Sequence, residues 1–402
     1  MIFSLEVLKA KHGDCLVLHY GDANDPKIIV VDGGPGRVYE DHLKPRLLEI
    51  KNELAPNASL PLAMVMVSHM DDDHVNGILD LTSDIISATE DQIEPDFAIE
   101  NMWFNSFDDI IGNIAIPIIS DIGASAQSVD VTTLSSQFGG LDHHHSAVIA
   151  STGQGRRLRR DADFLDAIVN APFSSPAQGN QSLVRFDPQN PIIDWGNHLQ
   201  LHVVHPNQER LEEMQEKWDR DLRTALQNGD DSIIFASLGD RDKSPFNLAS
   251  IVCLANCNGN TILMTGDARD DDILGGLETA GLMNDQGNLH VDILKIPHHG
   301  SDKNVSRSFF ERVTADHYVI SGNGRHHNPD KATLIMLEEG TGNVNHDDFT
   351  IHMTNRTGKF NLEDKIDQFI QGKNANNRNF EVNFIEDSVH SIIIDLLDEV
   401  TY

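Results

Sequence analysis

Ser68-His69-Met70-Asp71-Asp72-Asp73-His74 sets two imidazoles and three carboxylates within one turn-sized segment. The run before it, Leu62-Ala63-Met64-Val65-Met66-Val67, is apolar and bounded by Pro61, the pattern of a buried strand of the parallel type. The run after it, Val75-Asn76-Gly77-Ile78-Leu79-Asp80-Leu81, has apolar spacing that predicts a short helix. Residues of ligand type therefore fall where the carboxyl end of a strand turns into a helix. That is the crevice in which open α/β sheets bind ligands. In an extended loop His69, Asp71 and Asp73 would project to one side, with His74 following at the turn. So dense a charge cluster repels itself unless a divalent cation neutralises it. The alternative is a solvated acidic loop with an N-capping Asp.

Outward from this segment the same device recurs. Phe3 to Lys9, Asp14 to Tyr20 and Lys27 to Asp32 read as three strands of an antiparallel meander, the last ending in Gly33-Gly34-Pro35-Gly36. A helix is predicted over Glu40 to Glu53. From about Ser83 to Asn190 the pattern loses regularity, apart from a short strand at Trp103-Phe104-Asn105. This stretch holds the tract His143-His144-His145 and a basic run at Arg156, Arg157, Arg159 and Arg160. It reads as an insertion that covers or flanks the site. Strands resume at Leu199 to His205, followed by a charged helix over Gln208 to Gln227. Ser250 to Ala255 and Thr261 to Thr265 form an apparent hairpin around Asn258-Gly259, running into Gly266-Asp267. His290 to Pro297 leads into His298-His299-Gly300-Ser301, and Asp316 to Ser321 into Gly322-Asn323-Gly324-Arg325-His326-His327-Asn328-Pro329. A helix and two strands, Phe380 to Ile385 and Val389 to Leu396, are predicted for the tail. Strands ending at Val67, Thr265, Pro297 and Ser321 thus each deliver His, Asp or both, and segments so far apart imply convergence on one place.

Composition narrows the class. The chain has 402 residues, long enough for one large domain with insertions or for two domains. With 30 basic and 63 acidic residues the net charge is -33, which argues for a soluble protein. It argues against capture of nucleic acid or anionic membrane by the surface as a whole. The first residues lack the basic region and long apolar stretch of a signal peptide, and no run approaches ~18 apolar residues, so a cytoplasmic, non-membrane protein is expected. Cys15, Cys253 and Cys257 cannot form a disulfide framework and read as buried free thiols.

These motifs, in this order, strongly resemble the metallo-β-lactamase superfamily of metal-dependent hydrolases. Its signature is His-x-His-x-Asp-His after a strand, a later Gly-Asp, and further histidines. The first motif here is His69-x-Asp71-x-Asp73-His74, with Asp in place of the second histidine. That variant, together with Thr265-Gly266-Asp267 and Leu294-Lys295-Ile296-Pro297-His298-His299-Gly300-Ser301, looks like the branch containing the hydrolase domain of the bacterial competence (DNA-uptake) channel. Asp32-Gly33-Gly34 matches an early motif of that branch, and Asn247-x-x-Ser250 its approach to the Gly-Asp strand. His205-Pro206 lies nearest to the superfamily's middle histidine but lacks its usual surroundings, and Asn328 stands where a final histidine normally precedes Pro.

The resemblance implies an α/β fold, a four-layer αββα sandwich, with a helical or irregular insertion and a C-terminal extension. In residue numbers this is a hydrolase domain over 1–335 with the insertion at about 95–190, and an extension over 336–402 packing on it. It also implies two divalent ions, Zn²⁺ or Mn²⁺, that activate a hydroxide. One ion would take His69, Asp71 and one of His298/His299; the other would take Asp73, His74 and His326 or His327, with His326 favoured. Asp267 would bridge them. Asp73, His298 and His299 are the expected catalytic residues, the non-ligand histidine of the pair protonating the leaving group or holding an oxyanion. Lys295, Asn323 and Arg325 are candidate anion holders. Oxygen ligation by Asp71 favours Mn²⁺ relative to an all-nitrogen cage. The implied substrate is a phosphodiester or other phosphoryl ester, small or single-stranded nucleic acid, so a nuclease is included. The alternatives are a carboxylic ester, lactone or thioester hydrolase of the same fold, and a non-catalytic metal-binding module.

Other features read more simply. The histidine tract suits a polar loop, and the arginine run either guides a phosphate backbone or forms a solvated helix face. Trp195 and Trp218 suit packing. His12, His19, His202 and His290 have no partner evident in the sequence.

Overall fold

Runs that are apolar on both faces must be covered on both faces, and this requirement organises the molecule. The computed structural model describes residues 1–106, 110, 143–173, 182–212, 249–386 and 388–402. The meander is present as β1 (Ile2–Leu8), β2 (Leu16–Asp22) and β3 (Asp25–Val31), paired antiparallel. Helix α1 (Lys44–Leu54) then leads to β4 (Leu60–Leu62) and β5 (Met64–Met66). Helix α2 (Asp72–Glu90), β6 (Phe97–Ile99) and β7 (Asn101–Trp103) follow, and then α3 (His143–Phe164) and β8 (Ile168–Val169). One sheet runs β17-β1-β2-β3-β5-β7-β8, with β3, β5, β7 and β8 parallel, and β4 pairs with β6 separately.

The second sheet is built from β9 (Ile193–Gly196), β10 (Leu199–His205), β11 (Val252–Cys257), β12 (Asn260–Met264), β13 (Leu289–Lys295), β14 (Val313–Ile320), β15 (Thr350–Met353) and β16 (Glu381–Phe384), in reverse order of sequence. From β12 to β16 it is parallel. The parallel crossovers are made by α4 (Asp270–Thr279), α5 (Arg307–Arg312), α6 (Lys331–Asn343) and α7 (Leu362–Ala375). The last strand, β17 (Ser391–Asp395), returns to pair with β1, so residues 336–402 supply strands to both sheets.

Alternation along each strand sorts side chains between clusters. Phe3, Leu5, Leu18, Val31 and Met66 of the first sheet share one apolar cluster with Leu201, Val203, Ala255, Ile262, Met264, Ile293 and Val319 of the second. The opposite faces pack on helices. Val17, Val30 and Val65 meet Leu47 and Ile50 of α1 and Val75 and Ile78 of α2. Leu254, Leu263 and Leu294 meet Ile273 of α4, Phe309 of α5, Leu334 of α6 and Ile366 of α7. Cys15, Cys253 and Cys257 are buried free thiols, as their apolar surroundings suggested. Trp195 packs edge-on against Trp103 at 5.3 Å between centroids, while Trp218 lies outside the described residues.

Three expectations change. The helix expected over Val75 to Leu81 begins at Asp72 and continues to Glu90. Asp71 takes the N-cap position, and Asp72 and Asp73 in the first turn suit the positive end of the helix dipole. Asp73 therefore sits on a helix rather than in an extended loop. Further along, Thr82, a weak helix former, is held by its hydroxyl bond to Asp161 of α3 at 2.9 Å. The short strand runs over Asn101–Trp103, two residues earlier than expected. The His143 tract begins α3 instead of lying in a loop. The charged helix expected over Gln208 to Gln227 starts at Gln208, and its remainder lies outside the described residues, as does Asn247.

The turn after β3 presses directly on α2. Gly33 N donates to His74 O at 2.7 Å and Gly77 N to Gly34 O at 3.0 Å. A Cβ at Gly77 would lie 2.0 Å from the Gly33 carbonyl oxygen, so only glycine permits this approach. The contact fixes His74 against Asp32.

Candidate metal centre

Carboxyl ends of β3, β5, β12 and β13 open on one spot, joined there by the β1–β2 turn. The chain leaves β3 through Asp32, whose backbone is left-handed with φ 58°. Asp32 Oδ1 accepts from Ser68 N at 2.7 Å, and Oδ2 accepts from Ser68 Oγ at 2.7 Å and meets His74 Nδ1 at 2.8 Å. The residues after β5 are thus tied to those after β3. Beyond β12, Gly266 turns with φ 50°, and its carbonyl receives His298 N at 3.1 Å. His298 and His299 are themselves left-handed, with φ 48° and 55°. Non-glycine residues adopt that region at a cost, and they collect at functional sites.

Asp267, buried, is the focus. His69 Nε2 lies 3.6 Å and His298 Nε2 3.4 Å from Asp267 Oδ2. His74 Nε2 lies 3.4 Å and His299 Nε2 3.6 Å from Asp267 Oδ1. The four imidazoles are shared two to each oxygen. Asp71 Oδ2 approaches His69 Nε2 at 3.8 Å, on the first side. On the second side Asp73 approaches His299 Nε2 at 3.6 Å and His74 Nε2 at 3.9 Å.

All four rings are aimed by a contact at the other nitrogen. Ser68 Oγ meets His69 Nδ1 at 3.1 Å, Asp32 meets His74 Nδ1, and Asn304 Oδ1 meets His298 Nδ1 at 2.8 Å. Asp14 Oδ1 lies 3.2 Å from His299 Nδ1, a charge contact without hydrogen-bond alignment. Partners of this kind fix tautomer and ring direction in metal sites. Asn304 also donates to the Asp267 carbonyl at 3.1 Å.

Burial and neighbouring charge oppose each other at several groups of the site. Burial alone would push the Asp267 carboxyl up, yet His298, His299, His74 and His69 hold it well below the usual carboxylate range. Burial also opposes charge on His74, but Asp267 and Asp32 keep it well above the ordinary histidine value. Asp267 and Asp14 raise His299 to about 9 against the same burial. Burial, helped by neighbouring His74, takes His69 down to about 3. Burial with the Asp73 and Asp267 charges pushes Asp71 up.

Four buried atoms facing inward make no hydrogen bond: Nε2 of His69, His74 and His299, and Oδ1 of Asp267. Buried polar atoms are normally satisfied, so such a convergent set asks for an explanation. Ligands about 2.0–2.1 Å from a tetrahedral cation stand about 3.3 Å apart, close to the spacings here. The donor set around Asp267 therefore fits a divalent cation.

The remaining expected residues lie elsewhere. His326 is exposed in the turn Arg325–His327, its ring 6.0 Å from that of His12. His327 is exposed against Phe360 at 4.2 Å between rings. His12 stands between that turn and the centre: burial lowers its pKa to about 4, and Asp73, Arg325, His299 and His326 all act on it. Arg325 Nη1 meets His12 Nε2 at 3.1 Å. Lys295, expected as an anion holder, is instead wholly buried, its Nζ 2.6 Å from Asp14 Oδ2. His205 is buried at the end of β10. In the arginine run, Arg157 donates to Leu79 O at 3.1 Å and pairs with Asp161, and Arg159 covers the Phe104 ring. That run packs α3 on α2.

Asp14 escaped sequence reasoning as a site residue, because a single carboxylate opening a strand carries no periodic signal. Asp32 was visible only as part of its Gly-rich turn. Asp32→Asn is expected to weaken metal binding by ~10–100-fold, the usual effect of losing such a partner. Chelator competition on the purified variant measures this, and parental affinity would contradict it.

No family model matches the chain. Among solved structures, it is similar to a protein from Parabacteroides distasonis ATCC 8503 proposed to be a metal-dependent hydrolase. That match has 8% identity and a TM-score of 0.32, over 87% of this chain and 98% of the other. It is also similar to the Zn²⁺-bound PqqB of Methylobacterium extorquens, with 10% identity and a TM-score of 0.36, over 98% and 100% of the two chains. Likenesses of this extent carry no argument about activity, which rests on the side chains.

Proposed function

We propose that the chain is a dinuclear metal-dependent hydrolase of the metallo-β-lactamase type, with the two sheets and their outer helices forming the αββα sandwich. The observation that carries this reading is the sharing of four Nε2 atoms between the two oxygens of Asp267. His69, His298 and Asp71 would hold one ion and His74, His299 and Asp73 the other, with Asp267 available to both. His299 thereby takes the place that the resemblance gave to His326. When bound, such ions acidify water toward a pKa of ~7 and polarise the bond to be cleaved.

The chain's own groups do the rest. Asp32, bonded at Nδ1 of His74, leaves Nε2 of that ring facing Asp267, and Asp14 lies at the Nδ1 side of His299. His298, the most open of the four imidazoles at 27% side-chain exposure, faces the substrate side. His12 and Arg325, with His326 beside them, are placed to hold an anionic group. An ester of phosphoric acid, small or single-stranded, is the substrate class we assign. The net charge of -33 disfavours a long duplex, which needs an extended positive footprint.

The test uses protein stripped with chelator and reloaded with Mn²⁺ or Zn²⁺. It is assayed on bis(p-nitrophenyl) phosphate, a short single-stranded DNA and a lactone. Phosphodiester cleavage is expected, with Mn²⁺ at least as effective as Zn²⁺ because Asp71 adds an oxygen donor in place of an imidazole. Turnover of the lactone alone would move the assignment to carboxylic esters, and no turnover with either metal would refute it.

A further inference from the structure

At the opposite end of the second sheet a separate group of side chains converges. His290 opens β13, Asp316 lies in β14 and His346 follows α6. Each offers a ligand atom within 4.8 Å of the others. His290 Nε2 is 3.3 Å from Asp316 Oδ1, the spacing about a tetrahedral zinc. The rings of His290 and His346 lie 5.7 Å apart at 77°.

Both imidazoles are oriented by other contacts. His290 Nδ1 meets Thr314 Oγ1 at 3.0 Å, leaving Nε2 directed at Asp316. His346 Nε2 donates to the Ala315 carbonyl at 2.8 Å, so in the neutral ring Nδ1 keeps its lone pair. Stacking on Phe349, at 5.3 Å and 18°, fixes the plane of that ring. The pre-set tautomer and locked plane of His346 distinguish this group from a chance meeting of surface residues. His290 and Asp316 are half exposed, so an ion can enter directly and water can complete its shell.

We propose that His290, Asp316 and His346 form a third, peripheral cation site. With two imidazoles and one carboxylate it suits Zn²⁺ or Ni²⁺ over Mg²⁺ or Ca²⁺. Five residues of strand carry the chain from His290 to Lys295, on the order of 17 Å, before it turns to His298, so the ion takes no part in hydrolysis. Its effect is to clamp the loop after α6 to the starts of β13 and β14. The inference stands independently of the centre at Asp267.

Equilibrium dialysis of the full chain against micromolar Zn²⁺ tests it, with His290→Ala/His346→Ala and the milder Asp316→Asn as variants. The double variant is expected to bind one ion fewer than the parent, and Asp316→Asn to bind that ion at least tenfold more weakly. Phosphodiesterase activity should stay unchanged in both. In an Asp267→Ala background one ion should remain and be lost on adding the double substitution, whatever becomes of the main centre. Equal stoichiometry in parent and double variant overturns the proposal. If the double variant does not fold, parental zinc affinity in Asp316→Asn overturns it equally.

Discussion

Asp267→Ala is expected to lower turnover by on the order of 10³-fold or more and to remove both ions from the main centre. Among the described residues no other side chain approaches all four imidazoles, and each of its oxygens faces one pair. Removing the carboxylate also takes away the largest of the charges that raise His74 and His299, leaving Asp32 and Asp14 beside them. Asp267→Asn keeps the shape and loses the charge, so it separates packing from ligation and should be nearly as inactive. Steady-state assays with metal analysis by mass spectrometry measure both effects. Turnover within tenfold of the parent in either variant would show that the reaction takes place elsewhere.

The second large effect concerns stability. Lys295 and Asp14 form an ion pair at 2.6 Å with both side chains about 1% exposed. Breaking a buried pair by removing one partner strands the other charge in the interior, typically at about 3–5 kcal/mol. Lys295→Met keeps the apolar stem, so about 3–5 kcal/mol of destabilisation is expected from the stranded Asp14 rather than from lost packing. Adding Asp14→Asn should recover part of it, the remainder reflecting the lost contact of Asp14 with His299. Urea denaturation of the three variants gives these differences directly. A cost below about 1 kcal/mol for Lys295→Met would mean that Asp14 is neutral or hydrated.

Much of this arrangement could be read from residues in order, for a physical reason. Strands covered on both faces are unbroken apolar runs, so His or Asp at the end of one stands out. Val67, Thr265 and Pro297 were recognisable stops, and each leads into residues that meet at Asp267. The hairpin around Asn258-Gly259 was equally plain, since both residues take positive φ, 54° and 92°.

The strand ending at Ser321 behaves differently. It leads to the Arg325–His327 turn beside His12, while the two imidazoles of Pro297-His298-His299-Gly300 divide between the two oxygens of Asp267. Spacing alone cannot express that division, because it depends on consecutive left-handed residues at His298 and His299. The pairing of Asp14 with Lys295 was invisible for another reason. It joins residues 281 positions apart (295 minus 14) through tertiary packing, and no local pattern encodes it. Lys295 looked like an available cation only while its neighbour was unknown. The length of α2 escaped notice because Thr82 and Ser83 resemble a helix end, whereas bonding to α3 carries the helix past them.

An anomalous-scattering experiment on crystals loaded with Mn²⁺ or Zn²⁺ bears most directly on the dinuclear centre. Two peaks roughly 3.5–4 Å apart are expected, one on each side of the Asp267 carboxylate. The first should touch His69 and His298, and the second His74 and His299. Fully loaded crystals with no density at that carboxylate would contradict the account.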